Sequence, residues 1–254
     1  MDLPPVGLGT MGIHDPDAVE TAIDLGYRHL DTAHVYDNER AVGEGIAAAD
    51  VPREELTVAT KLWIDSLAAD DVRPGTEASL DRLGLDAVDL LYVHRPRGDY
   101  DPETTLPALA ELVDEGLVRH VGLSNFEPDQ LDRAREVLDV PVAAHQVEFH
   151  PYYRTEALLE DAQANDYPLV AYSPLIGGDV FADDVLREVA NRHGVSPAAV
   201  SIAWVLSHEN VVTIPKASSR DHLEANLSAA EIELDDEDLA RIDAIDVERE
   251  LYPE

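Results

Sequence analysis

The sequence predicts a (β/α)8 barrel, the fold in which eight parallel strands alternate with helices around a closed sheet. Short β-like runs alternate with longer segments of helical period from one end of the 254-residue chain to the other. Repeated strand–helix order favours parallel pairing, because each strand must return through a right-handed crossover. A barrel of this kind typically takes about 250 residues. No G-x-G-x-x-G turn, the mark of an open dinucleotide-binding sheet, follows a strand.

Eight strand–helix units can be placed in order along the chain. In the first helix, Asp15-Pro16 is a start signal and Gly26 is a stop signal. The predicted strands are Val6–Gly9, His29–Ala33, Thr57–Leu62, Val88–His94, Val118–Ser124, Ala143–Phe149, Leu169–Ser173 and Val211–Lys216. The predicted helices are about Asp15–Leu25, Asn38–Ala49, Asp70–Leu83, Thr104–Glu115, Glu127–Leu138, Thr155–Asn165, Asp183–His193, Pro197–Ser207, Asp221–Ala230 and an extra carboxyl-terminal helix, Asp235–Ile245. No linker divides the chain, so we expect one domain over residues 1–254 with short loops at the barrel mouth.

The composition excludes several classes of function. The chain has 53 Asp and Glu against 18 Lys and Arg, a formal net charge of −35, and no cysteine. Disulfides, thiolate nucleophiles and iron–sulfur clusters are therefore excluded, and a charge of this sign disfavours nucleic acid as a partner. The first residues resemble no signal peptide, and no run approaches the roughly 20 apolar residues that span a membrane. We expect a cytoplasmic protein without a membrane partner.

Arginine strongly outnumbers lysine among the basic residues. Only Lys61 and Lys216 are lysines, and the other sixteen basic residues are arginines. An acidic, lysine-poor surface resembles proteins adapted to multimolar salt, where charge repulsion is largely screened. An acidic protein from an ordinary environment is the alternative. In either case the two retained lysines are candidates for specific roles.

Polar residues cluster where the predicted strands end. In a (β/α)8 barrel the carboxyl ends of the strands meet at one rim, which carries the active site. Both lysines fall there, one on the third strand and one on the eighth. The residues of this rim are Asp31, Tyr36, Lys61, His94, Ser124, Asn125, Gln146, Tyr172 and Lys216.

Four of these residues form a chemically coherent group. A free tyrosine is a poor acid at neutral pH, and a neighbouring ammonium such as Lys61 lowers the pKa of Tyr36. Asp31 would keep a buried Lys61 charged, and His94 could orient a substrate carbonyl. Such a group can protonate an alkoxide as it forms but supplies no electrons, which would have to arrive from a cofactor as hydride.

These residues lie in segments that resemble the aldo-keto reductase family, of the small prokaryotic type. GYRHLDTAHVY (residues 26–36), TKLW (60–63) and LLYVHRP resemble the segments that carry the family's catalytic residues. VGLSNF, HQVEFHP and AYSPL resemble the segments around the nicotinamide, and TIPKASS resembles the segment at the adenine end. The matches follow the family's order over nearly the whole chain, so the resemblance implies a carbonyl reductase with a nicotinamide cofactor.

The resemblance assigns roles residue by residue. Tyr36 is the general acid in reduction, tuned by Lys61, which pairs with Asp31, and His94 orients the carbonyl. Trp63 lines the substrate pocket together with His94. The implied cofactor-binding residues are Thr10, Asp31, Ser124, Asn125, Gln146, Tyr172, Ser173, Leu175, Lys216, Ser218, His222 and Asn226.

The adenine end departs from the family's NADPH pattern. His222 stands where an arginine is common, and histidine cannot replace a bidentate phosphate partner. Lys216 still offers a point charge to a 2′-phosphate, so we favour NADPH, with NADH or use of both left open. The short segment Val247–Glu254 predicts an open, shallow pocket for small aldehydes, ketoaldehydes or sugar-derived carbonyls. The family is often monomeric, so we expect a monomer.

Two other readings remain. The first is a metal-dependent hydrolase on the same barrel, using His29, Asp31 and His94, although no further histidine or glutamate completes a ligand shell and we expect no metal site. The second is a non-catalytic barrel that senses a nucleotide or binds a partner subunit. The complete group of Asp31, Tyr36, Lys61 and His94 argues against a sensor.

Overall fold

The computed structural model describes residues 1–253 and contains one eight-stranded parallel sheet. Each strand pairs with the next in sequence order. The strands are β1 Leu8–Gly9, β2 His29–Asp31, β3 Thr57–Leu62, β4 Val88–Val93, β5 Val118–Ser124, β6 Val142–Glu148, β7 Leu169–Tyr172 and β8 Val211–Thr213. The order β1 to β8 is the order of a (β/α)8 barrel, so the predicted fold class is confirmed.

Backbone hydrogen bonds also join the last strand to the first. The amide of Gly7 donates to the Thr213 carbonyl at 2.8 Å, and the amide of Thr213 donates to the Pro5 carbonyl at 2.9 Å. Val6 pairs with Thr213 in an isolated parallel bridge. These bonds close the sheet on itself, so the strand ends form a single ring at the mouth of the barrel.

Helices follow the strands and cover the outside of the sheet. They are α1 Pro16–Leu25, α2 Glu39–Ala48, α3 Ala69–Leu83, α4 Pro102–Asp114, α5 Pro128–Val137, α6 Glu156–Ala164, α7 Asp184–His193, α8 Pro197–Leu206, α9 Arg220–Ser228 and α10 Asp236–Asp243. Helix α1 begins and ends as its sequence signals predict: the Asp15 carboxylate accepts from the Asp17 amide, and Gly26 adopts a left-handed φ of 112°. Within the described residues, short 3-10 turns lie at His34–Tyr36, Arg53–Glu55, Ile176–Phe181 and Ala229–Glu231.

The core has two parts. The larger is the layer between the strands and the helices, and the smaller fills the inside of the barrel with residues such as Leu90, Tyr92 and Val170. Gly122 makes room for this interior, because a Cβ atom there would lie 2.4 Å from the Tyr92 ring. The barrel is therefore a packed scaffold rather than a pore, which leaves the mouth as the place for a site. Within residues 1–253, no helix is long and apolar enough to cross a membrane.

Candidate active site

A cavity of about 680 Å³ opens at the carboxyl ends of the strands. Most residues predicted for the site line it. These are Thr10, Asp31, Tyr36, Trp63, His94, Asn125, Gln146, Tyr172, Ser173, Leu175 and Lys216. Lys61 lies directly beneath the cavity, where its side chain is fully buried. The strand ends thus bring together side chains that are far apart in sequence.

Lys61 connects an acid to a phenol. Its Nζ atom lies 2.5 Å from Oδ1 of Asp31 and 3.5 Å from the Tyr36 hydroxyl. A third hydrogen bond goes to the Thr32 carbonyl at 2.9 Å. The ammonium therefore has all three of its donors directed at oxygen atoms, as a buried lysine requires.

Local structure sets these positions. Asp31 ends β2 and Lys61 lies near the end of β3, two residues beyond Ala59, which pairs with Asp31. Tyr36 belongs to a 3-10 turn that follows β2 and ends at Asp37, a residue with left-handed φ of 53°. The 3-10 turn is not apparent from the sequence, yet it carries the phenol back over the lysine.

Asn38 fixes the segment that follows this turn. Its Oδ1 accepts from the Thr32 hydroxyl at 2.9 Å. Its Nδ2 donates to the carbonyls of Thr10 at 2.7 Å and Ile13 at 2.9 Å. Asn38 is buried, so these bonds are protected from water and join the segments after β1 and β2.

His94 follows β4 and faces the same cavity. Its ring packs edge-on against Trp63, with centroids 4.9 Å apart, and against Tyr36 at 5.8 Å. Burial, with help from Lys61 and Arg95, lowers the pKa of His94 to about 2. The imidazole is therefore neutral at any physiological pH and can donate one N–H to an oxygen without acting as an acid.

The protonation states of the lysine and the phenol follow from the same contacts. Burial lowers the pKa of Lys61, but Asp31 and Tyr36 together outweigh it and keep the pKa above its usual value. Burial raises the pKa of Tyr36 more than Lys61 lowers it, so the net shift is upward. The prediction that Lys61 lowers the pKa of Tyr36 below its usual value is wrong. It considered the nearby ammonium but not the burial of the hydroxyl, which penalises the charged phenolate.

Several polar residues predicted to bind the nicotinamide are already hydrogen-bonded to the protein. Gln146 donates from Nε2 to Oδ2 of Asp31 at 2.7 Å, which fixes the carboxylate that holds Lys61. Asn125 donates to the His94 carbonyl at 2.9 Å and accepts from the Tyr172 hydroxyl at 2.9 Å. Ser124 does not line the cavity and lies behind Asn125, whose Nδ2 contacts its hydroxyl oxygen at 3.1 Å.

The adenine-end residues divide into two groups. Lys216 is exposed and lines the cavity, whereas Ser218, His222 and Asn226 lie beyond its lining. Asn226 is 5% exposed, and its Nδ2 atom has no hydrogen-bond partner among the described residues. An unpaired amide donor at this depth is costly unless a ligand accepts from it. Asn226 is therefore a candidate donor to a ligand at this end of the barrel.

Sequence reasoning missed part of the cavity wall. Leu251 and Tyr252, from the segment after α10, line the mouth, although the segment's short length predicted an open pocket. Val35 and Phe181 are also exposed apolar residues of the lining. No local pattern identifies Leu251 and Tyr252, because their place in the wall depends on contacts with distant parts of the chain.

The hypothesis of a metal-dependent hydrolase has no support in the geometry of the described residues. His29 is fully buried and lies outside the cavity lining, and neither of its ring nitrogens has a hydrogen-bond partner within residues 1–253. Burial lowers the pKa of His29 to about 4. Throughout residues 1–253, no three histidine, aspartate or glutamate side chains come together as a metal site would need.

Comparisons with known proteins agree with the site. The sequence profile of the Aldo/keto reductase family matches residues 5–247. The chain is 37% identical to methylglyoxal reductase DkgB of Escherichia coli O157:H7, over 97% of this chain and 94% of that protein. It is 34% identical to glyoxal reductase of Bacillus subtilis (strain 168), over 100% of this chain and 92% of that protein.

A solved structure shows the same likeness in three dimensions. The thermostable aldo-keto reductase Tm1743, in complex with the inhibitor epalrestat, has a TM-score of 0.90 and 36% identity, and the match covers 96% of both chains. Aldo-keto reductases are oxidoreductases that reduce carbonyl groups with nicotinamide cofactors. The chain is a member of the aldo/keto reductase family.

Proposed function

We propose that this protein reduces aldehyde and ketone carbonyls to alcohols with NADPH, using Tyr36 as the proton donor. The observation that carries the proposal is the contact series from Asp31 through Lys61 to Tyr36 beneath the cavity. Family membership supports the reaction class. The roles of the individual residues are argued from geometry and charge.

Tyr36 has the properties of an acid that keeps its proton until the substrate needs it. Its raised pKa holds the phenol protonated at neutral pH. As negative charge forms on the carbonyl oxygen, that oxygen becomes a stronger base than the phenolate and accepts the proton. The remaining phenolate is then stabilised by the Lys61 ammonium, which lies 3.5 Å away before transfer.

Lys61 and His94 have supporting roles. Asp31 keeps Lys61 charged, so the phenolate forms next to a fixed positive charge rather than in an apolar pocket. His94 is neutral, and its N–H can orient the carbonyl oxygen toward Tyr36 without competing as an acid. When bound, the nicotinamide cofactor supplies the hydride that reduces the carbonyl carbon.

The cofactor preference rests on the adenine end. Lys216 offers a positive charge in the cavity wall of a chain that has only two lysines. The 2′-phosphate of NADPH would form an ion pair with Lys216. The side-chain Nδ2 of Asn226, which has no partner among the described residues, could donate to the same nucleotide. NADPH is therefore favoured over NADH.

Small aldehydes and ketoaldehydes are the proposed substrates. The relatives named above include a methylglyoxal reductase and a glyoxal reductase. The cavity holds few charged side chains, which suits an uncharged carbonyl compound. The non-catalytic reading has no comparable support, since a sensor would not need a buried ammonium beside a phenol.

The direct test measures NADPH consumption with a panel of aldehydes, including methylglyoxal and an aryl aldehyde, in buffers of low and molar KCl. Aldehyde-dependent oxidation of NADPH is the expected result, faster than with NADH at equal concentration. Protein without aldehyde is the control. Absence of consumption with either cofactor at every salt concentration would contradict the proposal.

A further inference from the structure

The segment after α10 forms one wall of the cavity mouth. Leu251 and Tyr252 line the cavity, and the Tyr252 ring meets the Tyr172 ring edge-on with centroids 6.0 Å apart. Residues 246–253, here called the tail, contain no helix or strand. Something other than secondary structure must therefore hold these two side chains in place.

Glu148, the last residue of β6, holds the tail backbone. Its Oε1 accepts from the Leu251 amide at 2.6 Å, and its Oε2 accepts from the Tyr252 amide at 3.1 Å. Glu148 is only 3% exposed. Hydrogen bonds to a buried carboxylate are shorter and stronger than neutral ones, so this one side chain fixes two consecutive residues of the wall.

His150 orients the carboxylate. Its Nδ1 accepts from the Tyr152 amide at 3.2 Å, so the ring proton is on Nε2, which donates to Oε1 of Glu148 at 2.8 Å. The Tyr152 carbonyl in turn accepts from the Arg249 amide at 2.7 Å. The end of β6 and the segment that follows it therefore hold the tail at two places, through Glu148 and through the Tyr152 carbonyl.

Two further polar contacts of the tail, made by Arg249 and Tyr252, are exposed and constrain it less. Arg249 pairs with Asp179, but both side chains are about half exposed. Arg95 donates to the Tyr252 carbonyl at 3.3 Å in an exposed position. Exposed ion pairs contribute little, because water and salt compete with them. In concentrated salt, which screens exposed charges, the hydrogen bonds to the buried carboxylate keep their strength.

We infer that Glu148, oriented by His150, is a positioning residue for the substrate pocket, which fixes Leu251 and Tyr252 where they contact the part of a substrate beyond its carbonyl. Glu148 does not line the cavity, so it acts only through the tail. The inference rests on the proposed function. It predicts that bulky aromatic carbonyls depend on Glu148 and that two- or three-carbon aldehydes do not.

The variant Glu148→Gln tests this with almost no change of shape. It replaces one acceptor oxygen with an NH2 group that faces a donor, and it removes the charge. We expect the KM for an aryl aldehyde such as 4-nitrobenzaldehyde to rise about tenfold, with kcat within about twofold. The KM for methylglyoxal and the Kd for NADPH should change by less than about twofold.

Two controls separate positioning from general damage. The double variant Leu251→Ala/Tyr252→Ala removes the wall itself and should give the same shift, and adding Glu148→Gln should cause no further change. Asp89→Asn alters a carboxylate of similar burial at the start of β4, which accepts the Val58 amide at 2.8 Å. That variant should lower Tm and leave the ratio of the two KM values unchanged.

Hydrogen exchange of the tail amides gives a readout that needs no activity. In Glu148→Gln the peptide covering residues 247–253 should exchange faster, and peptides from β3 and β4 should not. Unchanged exchange of the tail, or additive KM effects of Glu148→Gln and the wall variant, would overturn the inference. If the wild type reduces no carbonyl, the proposed function fails, while the exchange result still decides whether Glu148 holds the tail.

Discussion

Lys61 is the residue on which the chemistry of the mouth depends. A fully buried lysine would release its proton if it stood alone, because burial penalises the charged form. Asp31 reverses that tendency at 2.5 Å, and Gln146 holds the other oxygen of the same carboxylate at 2.7 Å. The order of dependence therefore runs from Gln146 through Asp31 and Lys61 to Tyr36.

The pH dependence of the reaction should follow from Tyr36. Reduction needs the protonated phenol, whose pKa is raised, so its rate should hold through neutral pH and fall only as the pH rises through that high pKa. Oxidation of the alcohol needs the phenolate, so its rate should increase with pH. Initial rates of reduction and of oxidation, measured between about pH 6 and pH 10, test the predicted direction of each pH dependence. A reduction rate that climbs with pH would contradict it.

Lys216 should decide between the two cofactors. The variant Lys216→Ala removes the positive charge from the cavity wall. It should weaken NADPH binding about tenfold and leave NADH binding nearly unchanged, because only NADPH carries the 2′-phosphate. Fluorescence titration with each cofactor measures both Kd values. Lys216→Arg keeps the charge and serves as the control. Equal losses for the two cofactors would remove the reason for preferring NADPH.

The sequence predicted the number and the order of the strands better than their ends. All eight strands and their order were predictable, because buried parallel strands read as apolar runs. Strands β1, β2 and β8 are each shorter than predicted. Val6 forms only an isolated bridge, and β2 ends at Asp31 rather than Ala33. Strand β8 ends at Thr213, two residues before Pro215, which has no amide hydrogen.

The site was predictable only in part, for physical reasons. Residues at strand ends could be named, since topology alone brings them to one rim. The direction of the Tyr36 pKa shift depends on burial, which a sequence does not display. The contact of Glu148 with Leu251 joins residues 103 positions apart, and no local pattern marks it.

The packing of α2 against its neighbour should be sensitive to a single methyl group. A Cβ atom at Gly43 would lie 2.1 Å from the Leu83 carbonyl oxygen at the end of α3. Gly43→Ala should therefore lower the free energy of unfolding by about 1–3 kcal/mol, despite the better helix propensity of alanine. Urea denaturation measures the change. Glu44→Ala, at an exposed position of the same helix, should stay within about 0.5 kcal/mol.

The barrel as a whole carries a formal net charge of −35. Many arginines pair with acids on the surface, as Arg133 does with Glu103 and Glu136. Such exposed pairs contribute little each, and the chain has 53 acidic residues against 18 basic ones. Repulsion between like charges should therefore outweigh attraction at low salt.

We propose on this basis that the protein is adapted to concentrated salt. Raising KCl from about 0.1 M to about 2 M shortens the Debye length to a few ångströms and should raise Tm by about 10 °C or more. Sucrose at matched osmolality is the control: it is excluded from the protein surface but does not screen charge, so it should raise Tm less than KCl does. A Tm that is flat or falling with KCl would contradict the proposal.

The variant Tyr36→Phe tests whether Tyr36 is the proton donor, because it removes one hydroxyl and keeps the ring packed against His94. Single-turnover reduction of methylglyoxal and NADPH titration should be carried out on the same preparation. We expect a loss of about 10²–10⁴-fold in the reduction rate, with the NADPH Kd within about twofold of the wild-type value. A variant that reduces the aldehyde at a near-normal rate would contradict it.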